Sequence, residues 1–225
     1  NLLRKKTYML ENPFEKESVS LKDAATSSLK KQKKAPKEIV TSVSTELIEQ
    51  EIDNLRAYDC RLLESKNYEV FLASADRMPN TLKEIGRLRE ITFREIGEGT
   101  NTAIDLDKSD YYYDHMLLWD SEAKVIAGAY RMGLGSQIYA NYGIDGFYLQ
   151  DLFRFEPELH KMMSESIEMG RAFIIKQYQQ KPMPLFLLWK GIVHVTLRYP
   201  EHKYLMGGVS ISNKFSNFSK SLMIE

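Results

Sequence analysis

The sequence predicts a mixed α/β fold, a mostly antiparallel central sheet flanked by helices. Three observations carry that expectation. Short β-rich runs alternate with stretches whose apolar residues recur every three or four positions, in the order α, β, α, β, β, β, α, β, α, and such helices need a sheet to pack on. MLLWD and VIAGAYRMG are joined by a Ser-Glu-Ala-Lys turn, which reads as a hairpin of two central strands. The 225 residues, 43% hydrophobic and 28% charged, have ordinary globular composition and not that of a collagenous, coiled-coil or wholly disordered chain.

Residues 1–43 are Lys- and Ser-rich, include SSLKKQKKAPKE and lack a sustained apolar period, so they read as a flexible basic linker. Ser44 and Thr45 can cap a helix whose stripe is Ile48, Ile52, Leu55 and Leu62, and the spacing predicts one peripheral amphipathic helix over 44–65. Residues 66–225 then form the main domain. YEVFLAS is a strand, and Leu82, Ile85, Leu88, Thr92 and Ile96 mark a helix ended by Gly97 and Gly99. After an acidic loop come the hairpin and a further strand, ESIEMGRAFII. Pro182 and Pro184 open the helix PLFLLWKGIVHVTLR, since proline is tolerated in a first turn. Trp189 and its Leu and Phe neighbours are expected in the core, with an acyl tunnel as the other use. KYLMGGVSI is a strand, and a last helix begins at Asn213.

The net charge is zero, but residues 1–40 carry +5 and the remainder −5. A basic strip near anionic headgroups gains about 1 kcal/mol per Lys or Arg, so peripheral contact with the inner membrane face is one use of the linker and a solvated tether is the other. No apolar run reaches the roughly 18 residues needed to span a bilayer. A lone Cys60 and the lack of a secretory segment point to the cytoplasm. The start at Asn1 and the stop within an amphipathic pattern read as a piece of a longer protein. Nucleic-acid binding is not expected, because aromatic residues do not interleave with the basic run.

Two polar constellations stand out. DLDKSDYYYDH holds Asp105, Asp107, Asp110, Asp114 and His115, without EF-hand spacing or a second nearby histidine, so no metal site is expected. It reads either as an acidic surface loop or, with Tyr111 to Tyr113, as a pocket for an amine. The second is Glu168-Met-Gly-Arg171. Residues three apart on a strand face opposite ways unless a bulge intervenes, and Gly170 is the expected bulge. The pair is either catalytic or a structural ion pair with the acidic loop or Arg131.

These runs, with G-A-Y-R (Gly128 to Arg131), G-F-Y (Gly146 to Tyr148), L-W-K-G-I (Leu188 to Ile192) and L-M-G-G-V-S (Leu205 to Ser210), resemble the ornithine-lipid-type N-acyltransferases. Those GNAT-fold enzymes are often labelled hemolysins and are related to acyl-homoserine-lactone synthases. The resemblance implies transfer of a fatty or 3-hydroxyacyl group from an acyl carrier protein thioester to the α-amine of an amino acid in aminolipid synthesis. It also implies an upstream lysophospholipid-acyltransferase-like domain. Arg89 and Phe93 match the family's R-x-x-x-F, and Arg131, Glu168 and Arg171 its charged core. FIIKQYQQKPMP lacks a Gly-rich pyrophosphate loop, so a carrier protein is the expected donor ahead of acyl-coenzyme A, and no bound cofactor is expected.

On that reading Glu168 accepts the amine proton, Asp110 with His115 holds the amine, and Arg89, Phe93 and Asp107 line the substrate site. Arg131 or Arg171 clamps the carboxylate, and backbone N–H groups at Gly170 and Ala172 hold the oxyanion. The other role of Arg131 and Arg171 is structural, pairing with Asp107 and Asp110 to shape the acidic loop. Lys176, Lys181 and Lys190 are the candidate carrier-docking patch. An acyl-homoserine-lactone-type synthase and a non-catalytic carrier or membrane docking module are the alternatives.

Overall fold

A computed structural model of the chain describes residues 35–209 and 216–224. Pro36–Gly208 form one compact unit, and of the second the described part is Ala35, Val209 and residues 216–224. Most of the expected linker, residues 1–34, and the expected helix start at Asn213 lie outside the described residues.

The first helix, α1 (Thr45–Ala57), is shorter than the spacing predicts and is not peripheral. Ile48, Ile52 and Leu55 enter the core, but Asp59 takes a left-handed φ of 54° and the Cys60 N–H closes back on the Leu55 carbonyl at 3.0 Å. Leu62, which fits the helical stripe, therefore belongs to a strand. β1 (Arg61–Ser65) turns at Lys66-Asn67 into β2 (Tyr68–Ser74) as an antiparallel hairpin that the sequence reading missed. α2 (Pro79–Ile96) starts on proline and stops where Gly97 adopts φ +82°, the left-handed cap that glycine enters without strain.

The expected central hairpin is β3 (Asp114–Asp120) and β4 (Val125–Leu134). Its turn is fixed by Asp120, whose Oδ1 accepts the backbone N–H groups of Glu122 and Ala123 at 3.1 and 3.0 Å. Two short helices absent from the expected order follow, α3 (Gly135–Tyr142) and α4 (His160–Ser164). Then come β5 (Ser166–Ile174), α5 (Pro182–Arg198), β6 (Tyr204–Met206) and α6 (Asn217–Ile224). β6 is shorter than KYLMGGVSI.

The six strands lie in chain order β1 to β6, antiparallel except for the parallel pair β5–β6. One apolar layer gathers α1, Met78, Ile85, Phe71, Trp119 and Phe173, and another gathers Leu72, Met116, Ile167 and the inner side of α5. Two irregularities shape the centre. β5 pairs with β6 only over Ser166–Glu168, so beyond Glu168 the two strands form no ladder. On its other edge, Gly170 pairs with Arg131 and Phe173 with Ala129, so Arg171 and Ala172 together face Tyr130. This is a β-bulge, and Arg171 sits in it at φ +52°. The expected bulge is thus one residue further on than Gly170, whose own φ is not left-handed. The mixed sheet with helices on it is the fold class the sequence predicts.

Trp189 corrects another expectation. It is 61% exposed on the outer side of α5, while Leu187 and Leu188 supply that helix's buried side. No helix among the described residues is long and apolar enough to cross a membrane.

Candidate active site

Three arginines from three elements meet three aspartates from one loop. The loop is held by a short 3₁₀ turn (Lys108–Tyr111). Asp107 caps it by accepting the Ser109 N–H at 2.8 Å, and Asp110 answers by accepting the Asp107 N–H at 2.8 Å. Arg89 reaches in from α2 and is buried. Its Nε donates to Asp105 Oδ2 at 2.9 Å, Nη1 and Nη2 donate to the two Asp110 oxygens at 3.0 and 2.8 Å, and Nη2 also meets the Asp105 carbonyl. Arg131, on β4, places Nη1 on both Asp107 oxygens at 2.8 and 2.9 Å and 3.3 Å from Asp110 Oδ2. Arg171 completes the set from the bulge, 3.5 Å from Asp105 and 3.5 Å from Asp107.

The acids are therefore committed to arginines, which corrects the reading of this loop as an open anionic pocket for an amine. Burial works to raise the proton affinity of Asp110, yet hydrogen bonds and charge from Arg89, with Arg131, hold it below the usual carboxylate range. Asp107 is likewise held low, its burial outweighed by Arg131. Asp105 goes the other way, because burial exceeds the attraction of Arg89 and Arg171.

His115 also departs from its expected role. It is buried, its Nε2–H donates to the Asp110 carbonyl at 2.8 Å, and burial pushes its pKa down to about 4, so it is a neutral brace under the loop and does not reach an amine. Phe93 packs into the apolar layer beside α1 and not among the charged groups.

Glu168 lies at the end of the β5–β6 pairing and is buried. Tyr113 donates its hydroxyl to Oε2 at 2.6 Å, and the N–H groups of Tyr148 and Leu149 reach Oε2 at 3.2 Å and Oε1 at 2.8 Å. The close approach depends on Gly133, opposite Glu168 in the ladder, where a Cβ would stand 2.1 Å from the Tyr113 ring. Burial raises the proton affinity of Glu168 despite those donors and the Arg131 charge.

The residue that joins the two constellations is Tyr148. Its ring lies 4.7 Å from the Arg131 guanidinium and 5.3 Å from that of Arg171, and its hydroxyl accepts from Arg171 Nη2 at 3.4 Å. Sequence reasoning quoted it only as part of G-F-Y and gave it no role. Arg131 Nη2 and Arg171 Nε are buried without a partner in the described protein, so each guanidinium retains an N–H for a further acceptor. Arg89 has no such spare group. Arg171 is also the most open of the three, with its side chain 20% exposed against 1% for the others.

Lys176 pairs with Glu95 at 3.5 Å and lines a groove of about 430 Å³ walled by Leu88, Ile91, Trp119 and Ile126. Lys181 lies 4.1 Å over the Tyr178 ring, and Lys190 is exposed on α5. Among the described residues no cluster has the composition of a metal site.

In this mixed sheet the pairing of β5 with β6 ends at the buried Glu168, beside the arginine cluster. Residues 88–189 match the family model of the acetyltransferase (GNAT) domain, a stretch that contains the arginine cluster, Tyr148 and Glu168. The fold over that stretch is thus of the GNAT type. The chain is 30% identical over 198 residues to a glycine N(alpha)-acyltransferase of Bacteroides thetaiotaomicron, covering 83% of this chain and 58% of that protein. It is 29% identical to a glycine N(alpha)-acyltransferase of Phocaeicola vulgatus, covering 83% of this chain and 60% of the relative. The chain therefore spans less than two thirds of the length of the relatives it matches.

Proposed function

We propose that the protein is an N-acyltransferase that moves a fatty acyl group from an acyl carrier protein thioester onto the α-amine of an amino acid, glycine foremost, as a step in making an aminolipid. The observation that carries this reading is the pair of unpartnered N–H groups on Arg131 and Arg171, set against the shared Tyr148 ring. Two fixed guanidinium donors suit a carboxylate, the one group every α-amino acid presents besides its amine. The names of the two relatives support glycine, whose missing side chain asks nothing more of the site.

In the reaction the amine nitrogen attacks the thioester carbonyl carbon, the C–S bond breaks and the carrier thiol leaves with a proton. The α-amine of a free amino acid is almost wholly ammonium at pH 7, so a proton acceptor is needed to free the nucleophile. Glu168 is the proposed acceptor, acting through a hydroxyl or water because its own oxygens are enclosed, and its burial-raised proton affinity suits the task. Gly170 and Ala172 are the proposed oxyanion donors, on the stretch of β5 beyond its pairing with β6. Lys176 and Lys181 are proposed to meet the acidic carrier, with Lys176 lining the groove between the helices and the sheet.

Incubation with 3-hydroxyacyl carrier protein and, separately, glycine, serine, ornithine or S-adenosylmethionine, followed by mass spectrometry, tests the proposal. An N-acylglycine product is expected. Acylated homoserine lactone from the last pairing, or no product from any, overturns it.

A further inference from the structure

We propose that the outer face of α5 docks onto the surface of an anionic lipid bilayer. The inference stands apart from the acyl-transfer reading, because it rests on the exposed residues of α5 and not on the arginine cluster.

At 100° per residue, Leu185, Phe186, Trp189, Val193 and Leu197 fall on one side of α5, opposite Leu188, Gly191 and Val195, which are buried against the sheet. Those five large apolar side chains are 46% to 73% exposed. A helix packed on a sheet normally turns its polar side outward, so a second apolar stripe on the solvent side marks a surface that something covers.

Charge identifies the occupant. Pro182–Arg198 contains no Asp or Glu, while Lys190 is exposed at the border of the stripe, Arg198 is exposed at the end of the helix and Lys181 precedes it. Apolar and aromatic groups on one side, basic groups at the edge and no acids describe a helix that lies in the headgroup layer, its rings in the acyl boundary and its cations among phosphates. A second copy of the same helix would bring like charges together without an acid on either helix to answer them. An acidic carrier protein would engage the lysines and leave the apolar stripe without a use.

The test measures partitioning of the full chain onto vesicles of phosphatidylcholine alone and of phosphatidylcholine with phosphatidylglycerol. Binding to the anionic vesicles is expected, with a blue shift in tryptophan emission from Trp189, since Trp119 is already buried. The exposed-site triple variant Phe186→Ser, Trp189→Ser, Val193→Ser should bind at least about tenfold more weakly. The pair Lys190→Glu, Arg198→Glu should lose about fivefold per charge and much of the salt dependence.

Vesicle binding by neither lipid mixture overturns the proposal, as does binding that the folded triple variant retains in full, which would move the contact to the basic N-terminal residues. Self-association of the wild-type chain that the triple variant loses, or carrier-protein binding lost without any vesicle binding, would overturn it too.

Discussion

The Arg131 guanidinium lies 4.7 Å over the Tyr148 ring while its Nη1 grips both oxygens of Asp107, so one arginine is fixed at once by an acid and an aromatic face. Tyr148 touches Arg171 in the same way. Tyr148→Leu should therefore raise KM for the amino acid by about tenfold or more with a smaller effect on kcat, because binding is lost before chemistry. Tyr148→Phe keeps the ring and should stay within about threefold of wild type. Steady-state kinetics on the two variants decide it; equal losses in both would assign the effect to the hydroxyl.

Arg89 is a buried scaffold. Arg89→Leu leaves Asp105 and Asp110 without their main partner, so unfolding in urea should show a loss of about 3 to 5 kcal/mol. A loss under about 1 kcal/mol would mean the aspartates find other partners.

Glu168→Gln separates proton transfer from scaffolding. The amide oxygen can take the Leu149 N–H and the amide nitrogen can donate to Tyr113, whose hydroxyl already stands 3.0 Å from the Tyr148 N–H. Stability should change by about 1 kcal/mol or less, while acyl transfer falls by about a hundredfold. Full activity in the folded variant would remove Glu168 as the proton acceptor.

Two neighbours on β3 give stability an unusual pH dependence. His115 has its pKa pushed down to about 4, so the unfolded chain binds its proton first as pH falls. The stability it confers is fully present above about pH 6.5 and is lost between there and 4. Asp114 has its pKa pushed up to about 6 by burial and by Asp76, so between about pH 4 and 6 the folded chain binds the extra proton and Asp114 opposes His115. In Asp114→Asn the His115 effect stands alone. Denaturation between pH 7 and 4 should then show a monotonic loss of up to about 3 kcal/mol that the wild type partly masks. The variant should also be more stable than wild type at pH 7.

Arg171 holds a left-handed backbone that glycine would adopt freely, and its two ion pairs are long. Arg171→Gly should leave stability unchanged or raise it by up to about 1 kcal/mol while activity collapses. A large destabilisation would show that its ion pairs outweigh the strain.

Much of the fold was legible because hairpins and proline-led helices announce themselves locally. The helix expected over 44–65 failed at Leu62, which fits the helical stripe but lies past the left-handed Asp59, and spacing alone does not register a reversal of the chain. Trp189 was placed in the core because hydrophobicity says what a residue avoids in water and not which body it meets. In the site, the right acids and arginines stood out by charge. Their partnership did not, since Arg89, Arg131 and Arg171 come from α2, β4 and β5 and meet only through the fold. Tyr148 was missed because aromatic residues in loops are common and its two cationic neighbours are distant in sequence.

The extra residue in β5 has a bearing on how this strand can vary. Before it, Ile167 belongs to the layer under α5; after it, Ile174 borders that layer while Phe173 belongs to the other. Odd positions thus change sides with even ones at a single point, and removing Ala172 would trade Phe173 for Ile174 between two cores. A strand with this phase change should accept many substitutions around the bulge, yet very few insertions or deletions. Alignments of related chains can be judged by that rule: a gap placed between Glu168 and Phe173 is more readily an alignment error than a real difference.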